Sequence, residues 1–237
     1  MIILLAPPRS GSSAATNILK HVHPDVIKAH YAKYDNTDPD NEKLNFDNGR
    51  LVVSTRDISM IYYQWRPSLE CCISFSIFNK YQELQTEKIY SDWLNSSEGI
   101  YNIFESLQIY WQFGVMPFRN SDVANKLVLN YSFMAADPVA YAAAIPDYVL
   151  SESEISRKQF NKLVLETLEV TENQKTTDPN DARLLSSSDI TPKELLDQNT
   201  LLILKNLCRN TFAETATKEI DACLKAKGVE FGPIVTP

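Results

Sequence analysis

Glycine is scarce in this chain. Six occur in 237 residues, where average usage of about 7% gives roughly 17. They stand at positions 11, 49, 99, 114, 228 and 232, and no two are separated by a single residue. A G-x-G-x-x-G dinucleotide fingerprint is therefore excluded. The one close pair, Gly228 and Gly232, has the wrong spacing for a G-x-x-x-x-G-K-[ST] loop. Cysteine is sparse as well, and Cys71, Cys72, Cys208 and Cys223 form no C-x-x-C pair. That pattern gives neither a zinc site nor a thioredoxin motif, and fits a reduced cytoplasmic compartment. No apolar run approaches the ~20 residues of a membrane span. The apolar start, Met1 to Ala6, lacks a basic flank and is too short for a signal peptide. Cations are in deficit: 23 Lys and Arg face 30 acidic residues, a net charge of -7. This argues against a general nucleic-acid binder, whose affinity rests on excess positive charge. It leaves room for one small anionic ligand held by local donors.

What is present suffices for an ordinary globular core: 44% of residues are hydrophobic and 22% charged. Residues 2 to 5 (IILL) read as a strand buried on both faces, followed by Pro7-Pro8 and a polar loop, Arg9 to Ser13. Residues 14 to 21 then have helical character. A second strand is expected within residues 26 to 30, and a long polar loop over residues 32 to 50. Residues 51 to 55 (LVVST) read as a third strand ending at Arg56-Asp57, and residues 126 to 131 (KLVLNY) as a fourth. Between these two, residues 58 to 80 read as two helical pieces broken at Pro67. Further helices are expected over residues 97 to 113, after Asp137-Pro138, and over residues 192 to 208 and 213 to 225. A polar segment covers residues 171 to 190. Strands alternating with helices predict an α/β fold with a central parallel sheet and a mostly helical C-terminal part. The expectation is one domain over residues 1 to 237.

The loop after the first strand carries the strongest chemical signal, because open α/β sheets bind ligands at the carboxyl ends of their strands. Backbone amides at a helix start form an anion site. Ser12 and Ser13 add hydroxyl donors, Gly11 lets the backbone approach a ligand, and Arg9 adds a forked cation suited to phosphate. Taken alone, the same residues also read as a plain turn and helix cap. Arg56 directly follows a strand and has two readings, a phosphate ligand or a surface ion pair. His21 and His23 sit near a helix end, where a cation at the dipole terminus is a sufficient explanation. The aromatic residues Tyr62, Tyr63, Trp65, Tyr110, Trp111 and Phe113 read mainly as core.

Four segments in order carry a resemblance. P-R-S-G-S-S, from Pro8, resembles the 5′-phosphosulfate loop of PAPS-dependent sulfotransferases, P-[KR]-[ST]-G-[ST]-[ST]. Ile27-Lys28-Ala29-His30 is similar to the family's I-K-T-H strand, and VVSTRD to its V-x-x-x-R-[DN]-P element. Residues 127 to 138 resemble its strand-Y-E-D-x-x-x-x-P segment. The resemblance covers about the first 145 residues and implies a P-loop NTPase-like sulfotransferase fold.

By that resemblance the donor is PAPS and the product PAP, with no metal. Arg9 and residues 10 to 13 hold the 5′-phosphosulfate, and Arg56 holds the 3′-phosphate. His30 is the general base for an acceptor hydroxyl or amine, and Arg9 stabilises the leaving oxygen. The chain departs from the pattern in three places. Ile58 replaces a proline, and Gln64 stands where a serine eight residues beyond the arginine contacts the 3′-phosphate. The C-terminal R-K-G element is missing, which leaves Lys175 or Arg183 as substitutes. An acidic residue between Asp35 and Glu42 is the alternative base. The acceptor is expected to be a small molecule, lipid or carbohydrate, chosen by residues 32 to 50 and 97 to 118. Two other classes compete: a degenerate P-loop kinase or NTPase, and a non-catalytic nucleotide-binding protein of the same fold. No pattern specifies an oligomeric state.

Overall fold

The computed structural model describes residues 1–35, 42–80, 87–175, 192–209 and 214–229. In chain order the elements are β1 (Ile2–Leu5), α1 (Ser12–Leu19), β2 (Ile27–Ala29), β3 (Ala32–Asp35), β4 (Lys43–Phe46), β5 (Leu51–Ser54) and β6 (Met60–Trp65). Then come α2 (Ser68–Lys80), α3 (Glu87–Leu94), α4 (Ser97–Tyr110), a π-helical turn (Trp111–Val115), α5 (Met116–Asn120) and β7 (Lys126–Asn130). The remainder is helical: α6 (Tyr131–Ala136), α7 (Pro138–Ala143), α8 (Asp147–Glu152), α9 (Arg157–Lys175), α10 (Gln198–Arg209) and α11 (Glu214–Ala226).

The chain divides into two compact units. The first joins Met1–Arg66 to Tyr110–Leu185, and the second joins Pro67–Ile109 to Ser186–Pro237. The first unit is α/β. Its four-stranded sheet has the order β2-β1-β6-β7, and every pairing is parallel. Leu4 lies opposite Tyr62, Leu5 opposite Ala29 and Tyr63, and Gln64 opposite Leu129. Ile3, Leu4, Leu5 and Ile61 are all fully buried, as the unbroken apolar runs require of strands covered on both faces. Leu4, Tyr62 and Leu129 share a core with Ala15 and Ile18 of α1, Tyr141 of α7 and Phe160 of α9.

Two segments differ from the sequence reading. Residues 60 to 65 of the stretch read as helical form β6, a central strand rather than a helix. MIYYQW is rich in β-branched and aromatic side chains and buried almost throughout, so it shows no alternation to separate strand from helix. Part of the expected loop at residues 32 to 50 is instead β3 and β4. With β5 they make a separate antiparallel sheet, β3-β4-β5, in which Leu44 and Phe46 are buried on one face. LVVST thus belongs to this small sheet and not to the parallel one.

The second unit consists, among its described residues, of helices α2, α3, α10, α11 and most of α4. Glu219 of α11 closes the start of α2, accepting from Ser68 N (3.1 Å), Ser68 Oγ (2.6 Å) and Leu69 N (2.9 Å). All four cysteines lie in this unit and are free thiols. Burial pushes the Cys208 thiol up to about 11, which marks it as packing rather than nucleophile. Among the described residues, no helix is long and apolar enough to cross a membrane.

Candidate functional site

The carboxyl ends of β1, β2, β6 and β7 collect one residue group each. From β1 the chain passes through α1 to β2 on one side, then returns to β6 on the other. The crevice between the ends of β1 and β6 is therefore a topological switch point. Into it runs the loop from Ala6 to Gly11.

Local chemistry fixes this loop tightly. Ser10 is fully buried, its Oγ donating to Pro7 C=O at 2.6 Å. Arg9 takes a left-handed backbone with φ of 66°, a conformation that costs a non-glycine residue ~1–2 kcal/mol. Arg66, at the exit of β6, supports that turn: its Nη1 donates to Arg9 C=O at 2.7 Å. The Arg66 guanidinium is buried and lies 4.6 Å over the Tyr131 ring, at the exit of β7. Gly11 is also left-handed, with φ of 82°. A Cβ there would stand 2.6 Å from both Tyr131 Cδ2 and Met134 Cε. Glycine is required at this position twice over, by conformation and by space. On the other flank the π-helical turn brings Gly114 to the loop, where a Cβ would meet Pro7 Cγ at 3.2 Å.

The start of α1 has no side-chain cap. Its first amide bonded to a preceding backbone carbonyl is that of Ala15, on Gly11 C=O at 3.0 Å. The amides of Ser12, Ser13 and Ala14 are the terminal donors a helix leaves to a ligand or water. His30 joins the same edge from β2. Its Nδ1 contacts Ala6 C=O at 2.7 Å, and its backbone amide donates to Asp47 Oδ1 at 2.9 Å. A carbonyl only accepts, so Nδ1 carries the proton and a neutral ring holds its lone pair on Nε2.

The expected site residues thus separate. Arg9, Ser10, Gly11, Ser12, Ser13 and His30 come together at the carboxyl edge. Arg56 does not join them. It lies exposed in the turn Thr55–Asp57, by the amino ends of β1 and β6. There the Met1 ammonium donates to Asp57 C=O at 3.0 Å, and Ser59 N donates to Met1 C=O at 2.8 Å. The four residues of β1, at about 3.3 Å each, put on the order of 13 Å between this turn and the loop. Gln64 is fully buried in β6, accepting from the Tyr141 hydroxyl at 2.8 Å, so it is part of the core and not a surface donor. Arg183 and the side chain of Lys175 lie outside the described residues, as do residues 36 to 41 of the alternative-base segment.

His23 is also not the cation expected at a helix end. Burial lowers its pKa below 6.5, and its Nε2 pairs with the Tyr62 hydroxyl at 2.8 Å.

Arg66 is the residue that sequence reasoning missed. It follows a buried strand and precedes Pro67 directly. Reading β6 as a helix concealed this strand-exit position.

Among the described residues, no three His, Cys, Asp or Glu side chains come together as metal ligands. No family model matches the chain, and neither does any curated protein or solved structure.

Proposed function

We propose that the chain is a PAPS-dependent sulfotransferase that moves a sulfuryl group to a hydroxyl or amine of an acceptor. One observation supports this most: the loop from β1 leads into a helix without a side-chain cap, with His30 hydrogen-bonded to the start of that loop. The donor set fits a phosphosulfate. It offers the amides at the start of α1, the Ser12 and Ser13 hydroxyls and the Arg9 cation, all at the sheet edge where α/β folds take ligands.

PAPS, when bound, supplies the sulfuryl group and a phosphate oxygen as leaving group. His30 Nε2 takes the acceptor's proton while the acceptor oxygen or nitrogen bonds to sulfur and the sulfur–phosphate oxygen bond breaks. Arg9 and the α1 amides stabilise the negative charge left on that phosphate oxygen. Arg66 is a positioning residue, holding the Arg9 carbonyl so that the loop keeps its left-handed turn. By strand position, Arg66 rather than Arg56 corresponds to the family's strand-exit arginine.

The test is transfer of labelled sulfuryl from PAPS to a panel of hydroxyl and amine acceptors, run beside thermal shifts with PAP and with ATP. Transfer together with a magnesium-independent PAP shift is expected. A shift with magnesium-ATP and none with PAP would instead support a kinase or NTPase. A PAP shift without any transfer would leave a binding protein.

A further inference from the structure

A cleft of about 600 Å³ runs along the outer side of α1, between β2 and the small antiparallel sheet. This is a volume in the range of small-molecule sites. Three cations line it: Lys20 at the end of α1, Lys28 on β2 and Arg50 ahead of β5. All three are exposed, and among the described residues none has an ion-pair partner. In a chain with a net charge of -7, such a convergence is opposite in sign to the molecule as a whole. The single carboxylate in the lining, Asp47, is already engaged: its Oδ1 accepts from His30 N (2.9 Å) and Tyr31 N (3.0 Å). The lining also offers the Asn17 amide, which suits the hydroxyls of a sugar.

We infer that this cleft binds a sugar-sized anion, a sugar phosphate or a sugar sulfate, through Lys20, Lys28 and Arg50. The cleft meets the loop at Ser13 and meets β2 at Ala29, the residue before His30. Resting on the transfer reading above, its occupant is the acceptor. The binding itself does not depend on that reading. The overall acidity of the chain does not oppose an anion here, because the field at a site is set by the charges lining it.

The experiment is calorimetric titration of the full chain with glucose 6-phosphate, glucose 6-sulfate and glucose at constant ionic strength. It is repeated on the variant carrying Lys20→Gln, Lys28→Gln and Arg50→Gln, three exposed positions that leave the core untouched. Glucose is expected to bind about tenfold or more weakly than its anions. The triple variant is expected to lose about tenfold in anion affinity while binding PAP within about twofold of the parent. Binding of only one anion supports the site and identifies its headgroup. Equal binding of glucose, anion affinity unchanged in the triple variant, or no binding of either anion would overturn it. If PAP fails to bind or no sulfuryl is transferred, the function proposed above falls, while the sugar-anion titration still decides the cleft.

Discussion

The two edges of the parallel sheet are built from similar materials and treated oppositely. At the amino edge the chain closes on itself: Met1, Ser59 and Asn125 bridge the strand ends through short hydrogen bonds. At the carboxyl edge it spends a buried arginine and two left-handed residues, one of them Gly11, on a loop whose helix then starts without a side-chain cap. Strain retained beside the terminal amides of α1 supports the ligand site proposed at the carboxyl edge. An exposed arginine at the satisfied edge is no substitute. Position at a strand's carboxyl end matters more than the local string of residues around it.

The sharpest way to break this contrast is Gly11→Val. It places a branched side chain at a left-handed φ and against the Tyr131 ring. PAP binding should disappear in a thermal-shift titration, and unfolding in urea should show a loss of ~2–3 kcal/mol. His30→Ala should lower the rate of sulfuryl transfer by about 10²–10³ with PAP affinity retained, read by initial rates beside the binding curve. Tyr141→Phe should cost ~1–2 kcal/mol because it leaves the buried Gln64 amide without its partner. The double change with Gln64→Leu should recover most of that loss, and neither variant should alter PAP binding. Arg56→Ala, at the opposite edge, should leave PAP affinity within about twofold of the parent.

A smaller effect concerns acid. The pKa of His23 is lower in the fold than the unfolded value of 6.5, so the fold favours the neutral ring. Its contribution is present above pH 6.5 and is lost as pH falls through the folded pKa. His23→Gln should flatten that part of the stability profile, measured by denaturant unfolding at several pH values.

The loop, α1 and the edge position of His30 were legible because each rests on local chemistry: an apolar run, two prolines, then small polar residues opening a helix. The third parallel strand was not. MIYYQW is apolar on both faces, and burial on both sides erases the period by which a strand is recognised. LVVST was recognised as a strand, yet nothing in a strand's own residues names its sheet, and its partner β4 is only four residues long, as is β3 beyond it. Assigning Arg56 and Gln64 to the 3′-phosphate followed from that displaced strand, whereas the arginine at the carboxyl end of β6 is Arg66. The second unit was hidden for another reason. Its halves are separated by more than 70 residues of the first unit, so only the folded chain joins Glu219 to Ser68.

A crystal structure of the full chain with PAP tests the account most directly. It should place the 5′-phosphate on the amides of Ser12, Ser13 and Ala14, with the Arg66–Arg9 bond intact and His30 Nε2 facing the open side. Density for PAP at the Arg56 edge, or an empty loop with the nucleotide elsewhere, would contradict it.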